Sequence, residues 1–391
     1  MRAYPLRVLI PFALVLVLWL TNSSPSKLRI PGLEGAYNRR VAIQKVVDEG
    51  VGTSPDDDED VLKAWECVVR TSAPGGLSAS KPKLAVLAVS GGANRAAFWT
   101  AEVIEKLDSL PGFRTQLRLI TGASGGMVGA AHYVVALNES LQSGATSQPR
   151  PGWLVDRIPA DSLSPVVRQW MLGDIPLSFW PADQGHSWDR GVALERAWPM
   201  LRVNFQSLAS LERQGRIPSI VFSPMLVEDG RQLLISNLNL GFLSHAMGNL
   251  LNSQDHVYSY PAVEFFKLFP DEVSRFEIAT AVRLNASFPY VSPALYLPTD
   301  PYRRVVDAGY YDNYGIAVAA SWIYHHRKWL MEHASGVVLI QVRAYPKQMG
   351  AVRLATGIFT LPEVIPSADP CGSEPLGGHG VVPDIAGRPK R

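Results

Sequence analysis

Hydrophobic positions change period several times along the chain, and each change marks an element. Near the amino terminus Val8–Leu20 (VLIPFALVLVLWL) is apolar throughout apart from Pro11, with Arg2 and Arg7 ahead of it. A membrane crossing needs about 20 residues, so this length suits the apolar core of a signal peptide better than a full span. Thr21-Asn22-Ser23 is a poor cleavage site, however. An uncleaved anchor, with Arg7 reaching back to the interface, is an equal expectation. A buried amino-terminal helix is the lesser alternative, because positive flanks precede the run. Lys27 and Arg29 follow it, so charge asymmetry does not set an orientation. The expected location is a membrane reached through this single-pass segment, or a secreted or periplasmic space if the segment is removed.

Next comes the polar stretch Asn22-Ser23-Ser24-Pro25-Ser26, a linker. Residues 41–70 carry two short helical patterns, interrupted by Gly50-Val51-Gly52 and the acidic run Asp56–Asp60. The acidic run reads as a solvated helix start favoured by the macrodipole; its spacing matches no calcium loop. Ser72–Ser80 (SAPGGLSAS) is a second linker. Lys83–Val89 (KLAVLAV) is a continuous apolar run ending in Ser-Gly-Gly, the pattern of a buried parallel strand. Helical periodicity follows over 94–108, then a second strand at Leu117–Thr121, the turn Gly122–Gly126, and an apolar helix from Met127 to about Leu137. Strand, loop, helix, twice over, is the rhythm of a doubly wound α/β sheet.

Beyond a loop at Gln142–Pro151, residues 152–216 read as mainly helical. Ser219–Leu226 and Gln232–Ser236 flank Glu228-Asp229-Gly230 as a strand pair across a turn. Arg303–Val306 is a short strand, Ile316–Leu330 a helix, and Val337–Val342 a last buried strand. The remainder, 346–391, is rich in Gly and Pro and aperiodic, so poor order is expected there. The expected organisation is an amino-terminal signal anchor or signal peptide at 1–24, linker and short helices at 25–80, the main α/β domain at 81–345, and the tail at 346–391.

Composition adds limits. A chain of 391 residues with 47% hydrophobic and 18% charged residues builds a sizeable core. A net charge of +2 offers nothing to recruit nucleic acid. Cys67 and Cys371 lie far apart, with no CxxC or Cys/His spacing, so neither a disulfide framework nor a zinc site is expected. No nucleotide, metal or organic cofactor site is legible, so none is expected.

Three segments carry chemistry. Gly122-Ala123-Ser124-Gly125-Gly126 matches GxSxG between an expected strand and an expected helix. A sharp turn there holds Ser124 in a strained conformation. Side chains at Gly122 and Gly126 would clash, and the following helix directs its free N–H groups at a developing oxyanion. A small-residue packing turn is the bland alternative. Upstream, Ser90-Gly91-Gly92-Ala93-Asn94-Arg95-Ala96 hands a strand over to a helix. Its glycines let backbone N–H groups of Gly91, Gly92 and Ala93 approach a ligand oxygen, and Arg95 adds a positive charge to hold a phosphate or orient the loop. A dinucleotide turn fails on the GxGxxG spacing and lacks the acidic residue that should follow. Finally, Asp307-Ala308-Gly309 follows the strand 303–306, with small neighbours leaving the carboxylate accessible at the carboxyl edge of a parallel sheet. Asp312 is the other candidate base, but Asn313-Tyr314-Gly315 after it has turn and helix-cap chemistry.

In this order the three segments resemble the patatin-like phospholipase family: a glycine-rich oxyanion loop, GxSxG, then Asp-Gly-Gly or Asp-Gly-Ala. Ala279–Pro293 also resembles the family's segment before the aspartate strand, and the resemblance spans about 83–343. It implies a three-layer α/β/α fold with a mostly parallel sheet. It implies, too, a serine hydrolase of lipid esters with a Ser–Asp dyad of Ser124 and Asp307, no catalytic histidine, and an oxyanion loop over Gly91–Arg95. Ala93 and Ala96 stand at glycine positions of the loop, and Ala308 stands where glycine usually follows the aspartate. A dry lipid cleft would raise the pKa of Asp307, making it a useful base.

The competing enzyme is a Ser-His-Asp esterase, which needs a histidine late in the chain. His325 and His326 fall inside the helix 316–330, and His132 lies two turns beyond Ser124, so His333 is its one reasonable base. From another class, the chain could be a catalytically silent membrane lipid-binding protein. That role requires none of Ser124, Asp307 and Gly91-Gly92.

Overall fold

The apolar run at 83–89 forms the strand around which the other layers assemble. In the computed structural model, residues 10–13, 16, 29–43, 58–72, 81–144, 150–178, 189–245 and 262–345 are described. Their strands are β1 (Lys83–Val89), β2 (Leu117–Gly122), β3 (Ser219–Phe222), β4 (Met225–Leu226), β5 (Leu233–Leu234), β6 (Val263–Glu264), β7 (Leu295–Leu297), β8 (Arg303–Val306) and β9 (Gly336–Val342). The principal helices are α1 (Asp58–Thr71), α2 (Ala93–Asp108), α3 (Ser124–Ser143), α4 (Arg190–Arg196), α5 (Ile278–Asn285), α6 (Ile316–His325) and α7 (Arg327–His333).

The main sheet has the order β3-β2-β1-β9, and every pairing in it is parallel. Alternation along β1 sorts its side chains into two cores. Ala85, Leu87 and Val89 pack with Ala97 and Ala101 of α2 and Met127 and Val128 of α3. Leu84, Val86 and Ala88 pack on the other face with Val61, Leu62 and Trp65 of α1 and Trp322 of α6. A strand buried on both faces is apolar at every position, which is why β1 reads as a continuous run. The result is a three-layer α/β/α arrangement with a parallel central sheet.

Register places the strand ends in one row: Val89 pairs with Gly122 and Val342, and Gly122 pairs with Phe222. The loops leaving β1, β2 and β9 therefore open on a common crevice, where ligands of such sheets bind.

Several expectations are corrected. The strand before Asp307 is not part of the parallel sheet: β8 pairs antiparallel with β4 and β7 in a separate three-stranded sheet. β9 is an edge strand among the described residues, with Val338 and Leu339 exposed, because β1 alone of the described strands flanks it. The helix expected over 316–330 breaks at His326 into α6 and α7. The acidic run does begin a helix, but Asp58 is buried rather than solvated. It accepts from Trp322 Nε1 at 2.6 Å and pairs with His326 Nε2 at 2.7 Å.

The single-pass amino-terminal anchor is also corrected: no helix of the described residues is long and apolar enough to cross a membrane. Within Val8–Leu20 the described residues are 10–13 and 16. The tail 346–391 lies outside the described residues, as do the linker 22–26 and most of 72–80.

Candidate active site

Ser124 is the first residue of α3 and follows β2 after a single extended residue, Ala123. Its φ is +48°, in the left-handed region that a non-glycine residue rarely occupies. A conformation of this kind costs about 1–3 kcal/mol and persists only when the surroundings enforce it. The enforcing contacts are backbone. A β-carbon at Gly122 would stand 2.2 Å from the Val89 carbonyl oxygen, and one at Gly126 would stand 2.4 Å from that of Ser90. Both glycines of the turn thus let β2 and α3 close directly onto the end of β1.

The segment after β1 is held from several sides. Ser90 N–H donates to the Val342 carbonyl at 2.9 Å, and Ser90 Oγ accepts from Ala344 N–H at 2.8 Å. Gly91 N–H donates to the Asn313 carbonyl at 3.0 Å, so this amide is already engaged. Gly92 has φ +146° and Ala93 φ +50°, turning the chain into α2. Gly91 lies against the serine: a β-carbon there would stand 3.2 Å from Ser124 Cβ and 2.3 Å from Asn313 Oδ1.

Asp307 is buried, 3% exposed, where β8 runs into the single helical turn Gly309–Asp312. Oδ1 accepts from Gly309 N–H at 2.7 Å. Oδ2 is buried without a hydrogen-bond partner of regular geometry among the described residues. Burial raises the carboxyl pKa above its ordinary value; the Gly309 N–H and the adjacent Ser124 hydroxyl pull it partly back. Ser124 is thus the side chain standing beside the aspartate, which no sequence spacing could place.

Arg95 is exposed on the first turn of α2, its guanidinium 4.6 Å from the centre of the Tyr345 ring. It borders the loop without touching Ser124 or Asp307. Asp312 caps α6, accepting from Tyr314 N–H at 3.0 Å and Ala317 N–H at 2.6 Å, in keeping with cap chemistry rather than a base.

Two residues not singled out from sequence complete the frame. Asn285, fully buried at the end of α5, donates from Nδ2 to the Gly122 carbonyl at 3.1 Å and accepts from Ser223 N–H at 2.8 Å. Its carbonyl accepts from Ala308 N–H at 3.2 Å, and that of Ser287 accepts from Asp307 N–H at 3.3 Å. One asparagine therefore ties the serine turn to the aspartate turn. Asn313 stands over both Gly91 and Gly309. The signal for Asn285 lay in a polar residue closing the apolar helix within Ala279–Pro293. Asn313 was masked by its resemblance to an ordinary turn residue.

His132, His325, His326 and His333 lie elsewhere. His333 Nδ1 pairs with Glu66 Oε2 at 2.8 Å and stacks on Trp329, and His326 pairs with Asp58. His325 stacks on Phe242. His132 is buried with Nδ1 2.8 Å from the Val128 carbonyl, and burial pulls its pKa down to about 4. None of these hydrogen-bonds Ser124 or Asp307. No group of three or more His, Cys, Asp or Glu among the described residues could hold a metal ion.

Fold and site together define an α/β protein with a parallel sheet and a serine on a strained strand-to-helix turn beside a buried aspartate. No family model matches the chain, and no curated protein matches it. Among solved structures it is similar to human GIVD cytosolic phospholipase A2 in complex with methyl gamma-linolenyl fluorophosphonate, at 15% identity and a TM-score of 0.34, over 47% of this chain and 28% of that one. Human GIVD cytosolic phospholipase A2 in a second structure gives 13% identity and 0.30, over 48% and 27%. VipD from Legionella pneumophila gives 14% and 0.27, over 60% and 47%. The chain spans less than half the length of each. Likeness at this level decides nothing about residues or activity.

Proposed function

We propose that the chain is a patatin-like serine lipid acyl hydrolase in which Ser124 is the nucleophile and Asp307 its base. The observation that carries this reading is the apposition of a strained, half-buried serine with a buried carboxylate whose second oxygen lacks a partner. A group in that state gains by accepting a proton. Ser124 Oγ attacks the ester carbonyl while Asp307 takes its proton, and the carbonyl oxygen becomes an oxyanion. Since the Gly91 amide is spent on Asn313, the oxyanion donors are the amides of Gly92, Ala93 and Gly125. Those of Ala93 and Gly125 are first-turn groups without intrahelical acceptors. Collapse returns the proton from Asp307 to the leaving alcohol and leaves an acyl-serine. Water then attacks the acyl carbon, giving its proton to Asp307; collapse breaks the acyl–Ser124 bond, returns that proton to Ser124 Oγ and releases the fatty acid.

The acyl-lipid assignment is supported by the rim. Phe288, next to Ser287, and Tyr310, next to Gly309, are exposed, as is Tyr290. Large apolar side chains beside a polar centre fit an acyl chain better than a soluble ester. Arg95, on the first turn of α2 beside the loop, offers a cation for a phosphate. The test is covalent labelling with an alkyl fluorophosphonate, which traps an activated serine. Labelling mapped to Ser124, and lost in Ser124→Ala, supports the reading and excludes a catalytically silent lipid-binding protein. Labelling that persists in Ser124→Ala would overturn it.

A further inference from the structure

We infer that the groove beside the oxyanion loop is a headgroup subsite for a zwitterionic phospholipid, with Arg95 and Arg343 on the phosphate and Trp99 and Glu102 on the ammonium; this rests on the hydrolase reading above. A cavity of about 660 Å³ opens between α2 and the end of β9, lined by Arg95, Trp99, Glu102, Arg343 and Tyr345 among others. It abuts the loop directly. A β-carbon on Gly92 would stand 2.9 Å from Ala344 Cβ and 3.3 Å from Tyr345 Cε2. A ligand in the groove therefore has one end at the loop around Gly92.

Among the described residues the two arginines are held by rings, not by acids. Arg95 lies over Tyr345, and Arg343 lies 4.9 Å from the centre of the Tyr314 ring while Nη2 donates to Tyr314 Oη at 3.3 Å. A ring fixes a guanidinium in place without neutralising it. Two such forks on one wall suit a group with several anionic oxygens. Arg343 Nε is buried with no partner among the described residues, a donor still short of an acceptor.

Further along, the chemistry inverts. Arg95, Trp99 and Glu102 are spaced i, i+4, i+7 and share a face of α2. At 1.5 Å per residue, Glu102 stands about 10 Å farther along the helix axis than Arg95. Glu102 is exposed and is the carboxylate in the groove's described lining. Trp99, 48% exposed, offers a ring face beside it. A ring and a carboxylate together form a site for an alkylammonium. From the loop outward, the groove presents oxyanion donors, then cations, then an aromatic with an anion. A zwitterionic glycerophospholipid presents its ester carbonyl, phosphate and ammonium in that order. A purely anionic headgroup would meet Glu102 unfavourably, and a neutral glyceride would leave both arginines unused.

The experiment uses the full chain and mixed micelles of phosphatidylcholine or phosphatidylglycerol with identical acyl chains, comparing kcat/KM. The parent should favour phosphatidylcholine. Glu102→Gln should lower the choline-to-glycerol ratio about fivefold, the worth of one exposed ammonium contact, and Glu102→Lys should invert it. Arg343→Gln should raise KM for both lipids and leave their ratio unchanged. A ratio that stays within twofold in Glu102→Gln and Glu102→Lys, with turnover still lost in Ser124→Ala, overturns the subsite while the hydrolase stands. Binding of glycerophosphocholine to the Ser124→Ala protein reads the subsite independently of turnover. It should weaken in Glu102→Gln, and inorganic phosphate at equal concentration should compete poorly. Equal competition by inorganic phosphate would mark a simple phosphate site and overturn the ammonium assignment. Binding that behaves as expected in a protein without Ser124-dependent turnover would keep the subsite and remove the hydrolase.

Discussion

At Ser124 the strain and the chemistry coincide, because the same left-handed φ that costs energy also lifts the hydroxyl out of the strand line toward Asp307. Alanine accepts the same backbone as serine. Ser124→Ala should therefore keep its circular dichroism and lose ester turnover by at least about a thousandfold. Residual activity within tenfold would refute the nucleophile. Asp307 carries a sharper test, since activity and stability should move in opposite directions. Its carboxyl pKa is raised by burial, so the ionised form is penalised in the folded state. Folding stability tied to this group is full below the unfolded value of about 3.9 and is lost as pH rises through the raised folded value. Asp307→Asn keeps an acceptor for Gly309 N–H but removes the buried charge. At neutral pH it should raise Tm while turnover falls as far as in Ser124→Ala. In the parent, turnover should decline on acidification through a midpoint above the ordinary carboxylate range. An unshifted midpoint, or a lower Tm for the asparagine variant, would deny Asp307 its assigned environment.

Between elements, the close approaches decide the outcome. Gly122→Ala inserts a methyl group 2.2 Å from a backbone oxygen of β1, which a rotamer change cannot relieve. Overpacking of this kind costs about 1–3 kcal/mol. A lower urea midpoint together with lost turnover is the expected result. On the opposite face, α1 docks through Asp58, which serves Trp322 and His326 at once. Asp58→Ala strands both partners and should cost about 1–3 kcal/mol, read by urea unfolding, with turnover retained in the folded fraction. The elements themselves were largely legible. β1, α2 and β2 could be found because a doubly buried strand is continuously apolar and an amphipathic helix is not. What escaped was partner choice: the strand before Asp307 has the same residues whether it joins a parallel or an antiparallel sheet. The break at His326 escaped for a similar reason, since the apolar pattern continues on either side of it.

Across the whole molecule, the parallel sheet separates two regions of charge. The crevice side holds Ser124 and Asp307, while His326 and His333 lie with α1 on the far side and pair with Asp58 and Glu66. His333→Ala should therefore leave kcat within about twofold, since the ring touches neither reacting group. A collapse of kcat in that variant, with only partial loss in Asp307→Asn, would restore the Ser-His-Asp alternative. The sequence by itself determined the α/β rhythm, the strained serine turn, the glycine loop before it and the aspartate after a strand. Local sterics dictate each of these within a few residues: a strand buried on both faces is apolar, and a sharp turn demands small neighbours. Only the tertiary structure decided that Ser124 stands beside Asp307, that Asn313 spends the Gly91 amide, and that Asn285 binds the two turns together. It also decided that Arg343 joins Arg95 across a groove. These are meetings between residues far apart in the chain, set by strand order and register, and no local pattern encodes them.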